Sequence, residues 1–132
     1  MSIALLFMLA AAAAPQDAPT PPPWRDYTRP CTCEEADPKA DYVTFKGVVI
    51  DGEVRLDETG LKASPRQAVI FELIGRPRDG LSTPVKVWYS AAPEACVQFD
   101  YGKVYTVRAK RAAKTLETNA CLLRDAEKEA QQ

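Results

Sequence analysis

The chain has 132 residues, with 17 basic and 18 acidic side chains and a net charge of −1. That length holds one domain, and so balanced a charge gives no general attraction to nucleic acid or to an anionic membrane. Histidine is absent, which removes the commonest general base and the commonest metal ligand together.

Ile3 to Ala14 is an unbroken apolar run of 12 residues ending in five alanines. A bilayer span needs about 20 residues, so residues 1–14 read as a signal peptide cut beside Ala13 or Ala14, although no Lys or Arg precedes the run. No cysteine follows closely, which argues against a lipid-modified terminus. The protein is therefore expected to be secreted or periplasmic, with no membrane span after cleavage. Residues 15–30 carry six of the 11 prolines, with Trp24 and Tyr27 among them. Such a stretch cannot bury enough surface to fold and favours extended polyproline conformations, so it reads as a disordered tether.

Cys31-Thr32-Cys33 follows, and the other two cysteines, Cys96 and Cys121, lie far downstream. The stretch reads as a seam whose two thiols are tied to two distant places. Four cysteines in a small exported chain predict two disulfides. Three pairings are open, and a bond from Cys31 to Cys33 ranks last because its ring would be small and strained. A four-cysteine zinc site is the competing use, but its usual mark is two CxxC-like pairs, and only one C-x-C is present.

Glu34 to Ala40 allows a short helix limited by Pro38. Tyr42 to Ile50 then alternates as a strand, with Val43, Phe45 and Val49 on one face and Thr44 and Lys46 on the other. Asp51-Gly52 reads as a hairpin turn, returning through Val54 and Leu56. Asp57 to Pro65 is a loop. Gln67 to Ile74 is a strand with Val69, Phe71 and Leu73 on one side, and an exposed loop runs from Arg78 to Thr83. Pro84 opens a strand in which Val85, Val87 and Tyr89 alternate with Lys86 and Trp88. Lys103 to Lys110 alternates again, with Tyr105, Val107 and Ala109 opposite Thr106 and Arg108. Leu116 to Cys121 reads as a last short strand, and Leu122 to Gln132 as a frayed, helix-permissive end. Five or six short strands with turn residues between them predict an all-β fold with short helices, a small antiparallel sandwich or barrel.

No catalytic machinery is visible. The adjacent acids Glu34-Glu35 and Asp57-Glu58 fall in loops, and no nucleophile has a base partner. The protein is expected to be no enzyme and to hold no cofactor or metal. Lys103, Arg108, Lys110, Arg111 and Lys114 form a basic cluster near Tyr101 and Tyr105. A polyanion or nucleic-acid groove would use such residues, but Tyr105 and Arg108 fall on opposite faces of one strand, so the cluster reads as a solvated edge.

The chain resembles the tissue inhibitors of metalloproteinases and, more broadly, their netrin-like domain with its small secreted bacterial relatives. The resemblance covers residues 31–123. It rests on Cys31-Thr32-Cys33, on Ala40-Asp41-Tyr42-Val43 and on Phe71-Glu72-Leu73-Ile74-Gly75. Further along it rests on Glu94-Ala95-Cys96, on Tyr101-Gly102-Lys103-Val104-Tyr105 and on Leu116-Glu117-Thr118-Asn119-Ala120-Cys121. It implies a five-stranded Greek-key OB-fold barrel over 31–123, stapled by Cys31–Cys96 and Cys33–Cys121, with 124–132 as a C-terminal tail. It also implies an inhibitory ridge made of Cys31, Thr32, Cys33, Glu94, Ala95 and Cys96. In the family the amine and carbonyl of the first cysteine chelate the catalytic zinc of a protease, and the following threonine enters its specificity pocket. The implied partner is a secreted zinc metalloprotease or another extracytoplasmic protein. Here Pro30 precedes Cys31, so that chelation requires a second cleavage before Cys31. Without it, the expectation is a structural or interaction domain of the cell envelope whose cysteines serve only as disulfides.

Overall fold

A computed structural model describes residues 31–76 and 79–131, so the signal-peptide and proline-rich readings lie outside the described residues. Among the described residues the chain forms five strands, in which most inward side chains are apolar: β1 Tyr42–Leu56, β2 Ala63–Leu73, β3 Val85–Ser90, β4 Val104–Ala112 and β5 Thr115–Glu117. Among the described residues one α-helix, α1, spans Ala120–Ala130.

The strands hydrogen-bond in the order β1-β2-β3-β5-β4, and β4 returns to β1, so the sheet closes into a barrel. All pairings are antiparallel except β3 with β5, which is parallel. Closure leaves no edge strand to template aggregation. Val43, Phe45, Val49, Val69, Phe71, Val85, Val87, Tyr105, Val107 and Ala109 fill the interior. Phe71 belongs to an aromatic cluster, with its ring centroid 5.4 Å from Phe45 and 5.5 Å from Phe99, both edge-to-face. That is the preferred arrangement of ring quadrupoles.

β1 is longer than its sequence pattern predicts. The expected hairpin at Asp51-Gly52 is not a turn; the strand runs on to Leu56. A tight turn there needs positive φ, which Gly52 does not adopt. The register instead skips Ile50, from Val49 opposite Phe71 to Asp51 opposite Ile70. One extra residue on one strand is a β-bulge, which bends the strand; β1 pairs with β4 over Tyr42 to Val48 and with β2 from Gly47 to Leu56. The real turn is Asp57–Lys62, where the Asp57 carboxylate accepts from the Thr59 amide at 3.1 Å and from the Thr59 hydroxyl. Gly60 supplies the positive φ. The Thr59 hydroxyl is the main cause that holds the Asp57 carboxyl below its usual range.

Two further expectations are corrected. Glu34 to Ala40 makes no helix, because Asp37 closes a local turn: its Oδ1 accepts from the Lys39 amide at 2.9 Å and its carbonyl from Ala40 at 3.1 Å. The strand expected over Leu116 to Cys121 stops at Glu117, because Asn119 caps α1 by accepting from the Leu122 amide at 3.0 Å. The segment read as a frayed end is this helix. It buries Leu122, Leu123 and Ala126, so the expected tail is helical from its start at Arg124 to Ala130 and contributes Ala126 to the buried face. Among the described residues no helix is long and apolar enough to cross a membrane.

Candidate functional site

The short run from Cys31 to Glu35 lies outside the sheet and is fastened along its length. Cys31 bonds Cys96, with Cα atoms 5.5 Å apart, and Cys33 bonds Cys121, with Cα atoms 5.6 Å apart. This is the pairing the resemblance implies. It also takes all four thiols away from zinc coordination. In a regular strand, residues two apart share a face; these two cysteines diverge because their stretch is not in a strand.

Polar contacts follow the same division. The Thr32 amide donates to the Glu94 carbonyl at 2.7 Å. The Asn119 side-chain amide donates to the Glu34 carbonyl at 3.1 Å, and Arg124 Nη2 lies 2.8 Å from Glu35 Oε2. Residues 31–32 are thus held to the segment around Cys96, and residues 33–35 to the start of α1.

The receiving segment is a 3₁₀ turn, Pro93–Ala95, that ends on Cys96 in the left-handed conformation, with φ 57°. A left-handed φ is uncommon in a residue other than glycine. Here the Cys96 amide bonds back to the Pro93 carbonyl and the disulfide fixes the side chain. Immediately after it, Val97 is buried in the barrel core and Phe99 packs edge-to-face on Tyr89 and Tyr105, with centroids 5.2 Å away in both cases. The turn therefore stands on an aromatic plug and is not a free loop. The sequence reading did not single out Val97 or Phe99; their alternation after Cys96 is the only signal, and it is two residues long.

The six ridge candidates accordingly come together. Cys31, Thr32 and Glu94 are exposed, Cys33 and Ala95 are half-buried, and Cys96 is buried. The ridge presents one hydroxyl and one carboxylate on a backbone held from both sides.

The basic cluster does not come together as a groove. Arg108 lies over the Tyr42 ring and pairs with Glu129, while Arg111 lies 3.2 Å from Asp41. Tyr105 points inward, where its hydroxyl accepts from the Asp100 amide at 2.9 Å. Burial pushes its phenol up. The acid pairs are divided as well: Glu35 is engaged by Arg124, and Asp57 closes its own loop. Among the described residues, no three acids or cysteines are grouped to hold a metal ion. Comparison with protein-family models, with curated proteins and with solved structures returns no match to this chain.

Proposed function

We propose that this protein is a secreted or periplasmic, non-catalytic binding module whose ridge, Cys31 to Cys33 with Glu94 to Cys96, engages the catalytic zinc of an extracytoplasmic endopeptidase once cleavage before Cys31 frees its amine. The strand order β1-β2-β3-β5-β4 with a parallel β3–β5 pair supports reading the barrel as a five-stranded Greek-key OB-fold. Two disulfides support an oxidising compartment.

One observation carries the reading: the Thr32 amide bonds the Glu94 carbonyl between two disulfide-anchored segments. A wedge that enters a protease cleft gains most when its shape is fixed beforehand, because less side-chain and loop freedom is lost on binding. Zinc chelation further demands a nitrogen lone pair. An amide nitrogen, as in the Pro30–Cys31 bond, delocalises its lone pair into the carbonyl and is a poor ligand. With the tether attached, the ridge serves as a disulfide anchor, and the protein acts as an interaction domain of the envelope.

Two proteins test this, one beginning at Cys31 and one retaining residues 15–30, each titrated against a panel of zinc endopeptidases. The first is expected to inhibit and the second to be inert. Thr32→Gly in the first should weaken inhibition by about tenfold, the order expected from one lost side-chain contact in a desolvated pocket. Absence of inhibition by both proteins rejects the reading.

A further inference from the structure

Trp88 faces away from the barrel interior, because β3 directs Val85 and Val87 into the core. It is nevertheless only 7% exposed. Its shield is cationic. Arg55 lies 4.6 Å, Arg66 4.9 Å and Lys86 5.0 Å from the ring centroid. Cations over an indole face are attracted by the ring quadrupole, yet three of them on one ring repel each other.

Two carboxylates offset part of that repulsion. Glu53 pairs with both Lys86 and Arg55, and Glu117 lies 2.9 Å from Arg66. Three cations against two anions leave one excess positive charge at the ring. Lys110, the register partner of Glu117 on β4, adds another at the margin. Beside the indole is a cavity of about 250 Å³ lined by Arg66, Trp88, Ser90, Glu117 and Thr118 among others. The Ser90 hydroxyl accepts from the Ala92 amide at 3.3 Å, which leaves its own proton to donate.

We propose that this outer wall over β2, β3 and β5 binds an acidic saccharide, with a uronate carboxylate taken by Arg66 and Arg55 beside the indole and sugar hydroxyls meeting Ser90 and Glu117. Isolated anions suit the wall better than a dense polyanion does. Glu53 and Glu117 sit among the cations, so a strand with a phosphate on every residue brings like charge against them. A chain with hydroxyls between its acids uses those same carboxylates as acceptors. The ridge at Cys31 plays no part in this site.

The full chain carrying Trp24→Phe retains Trp88 as its only tryptophan, and its fluorescence reports on the wall. It is titrated with oligogalacturonate, with the fully methyl-esterified oligosaccharide and with a single-stranded oligonucleotide of equal charge. A saturable change with oligogalacturonate and none with the ester is expected. Arg66→Gln should weaken that affinity about tenfold, the order of one charge-assisted hydrogen bond. Glu117→Gln keeps an acceptor while releasing Arg66, and should tighten binding, a gain that misfolding does not mimic. No response to oligogalacturonate, equal binding of the ester, tighter binding of the oligonucleotide, or no gain from Glu117→Gln overturns the proposal.

Discussion

Tyr105 shows how one polar atom is fitted into a small apolar interior. Its ring is buried in the core, and its hydroxyl reaches the barrel end to accept from the Asp100 amide. Removing that hydroxyl as Tyr105→Phe should lower stability by about 1 kcal/mol, the net worth of a neutral hydrogen bond, measured by denaturant unfolding. Burial also raises the pKa of Tyr105 and Tyr89. The folded protein therefore holds these phenolic protons to higher pH than the unfolded chain does. The stability that follows is fully present below about pH 10, the ordinary tyrosine value, and is lost as pH rises through the raised native values. Melting temperatures recorded from neutral to strongly alkaline pH should fall from that point, and the fall should be shallower in Tyr105→Phe. That Tyr105 shares a face with Val107 and Ala109 was legible from strict alternation, and that face is the buried one. Its bond to Asp100 was not, because nothing in the alternation fixes how the preceding turn folds back.

The strands were legible wherever apolar and polar residues alternate over several positions, as in Tyr42 to Ile50 and Val104 to Lys110. Misreadings arose where a short-range signal competed with tertiary pairing. Asp51-Gly52 carries turn chemistry, but β2 pairs with β1 on both sides of it, from Gly47 to Leu56, so the chain bulges instead of turning. Trp88 was rightly placed opposite Val87. Its burial was invisible because its cover comes from β1 and β2, and depends on the register of three strands. The helix was underestimated because its apolar face is short: Leu122, Leu123 and Ala126 are buried, but the following residues are charged. Leu123 is 1% exposed and sits in the barrel core cluster. Leu123→Ala should cost about 2–5 kcal/mol in chemical denaturation, through lost burial and the cavity left behind. An outcome near zero would mean that α1 adds little to the fold.

For the whole molecule, the decisive long-range constraint was visible as residues but not as geometry. Four cysteines announce two bridges, yet composition leaves three pairings open, and only the folded barrel brings Cys96 to Cys31 and Cys121 to Cys33. Cys33–Cys121 spans 88 residues. In the chain-entropy account, removing it should cost about 4 kcal/mol, a large share of the roughly 5–15 kcal/mol that stabilises a typical domain. The Cys33→Ala, Cys121→Ala double variant is therefore expected to melt far below the parent protein. Removing the shorter-range Cys31–Cys96 bond, separation 65, should cost slightly less on the same account, because the entropy varies only with the logarithm of loop length.

The Cys33–Cys121 bond encloses residues 34–120, and every strand of the barrel lies inside that span. The span from Cys33 to Cys121 is thereby a covalent circle. A single nick anywhere on the circle, for example beside Leu61 at the 87% exposed tip between β1 and β2, opens the ring without dividing the molecule. After such a nick the fragments should migrate as one species on a non-reducing gel and as two once the disulfides are reduced. Damage and disassembly are thus separate events for this fold: the first needs one cut, and the second also needs a reductant.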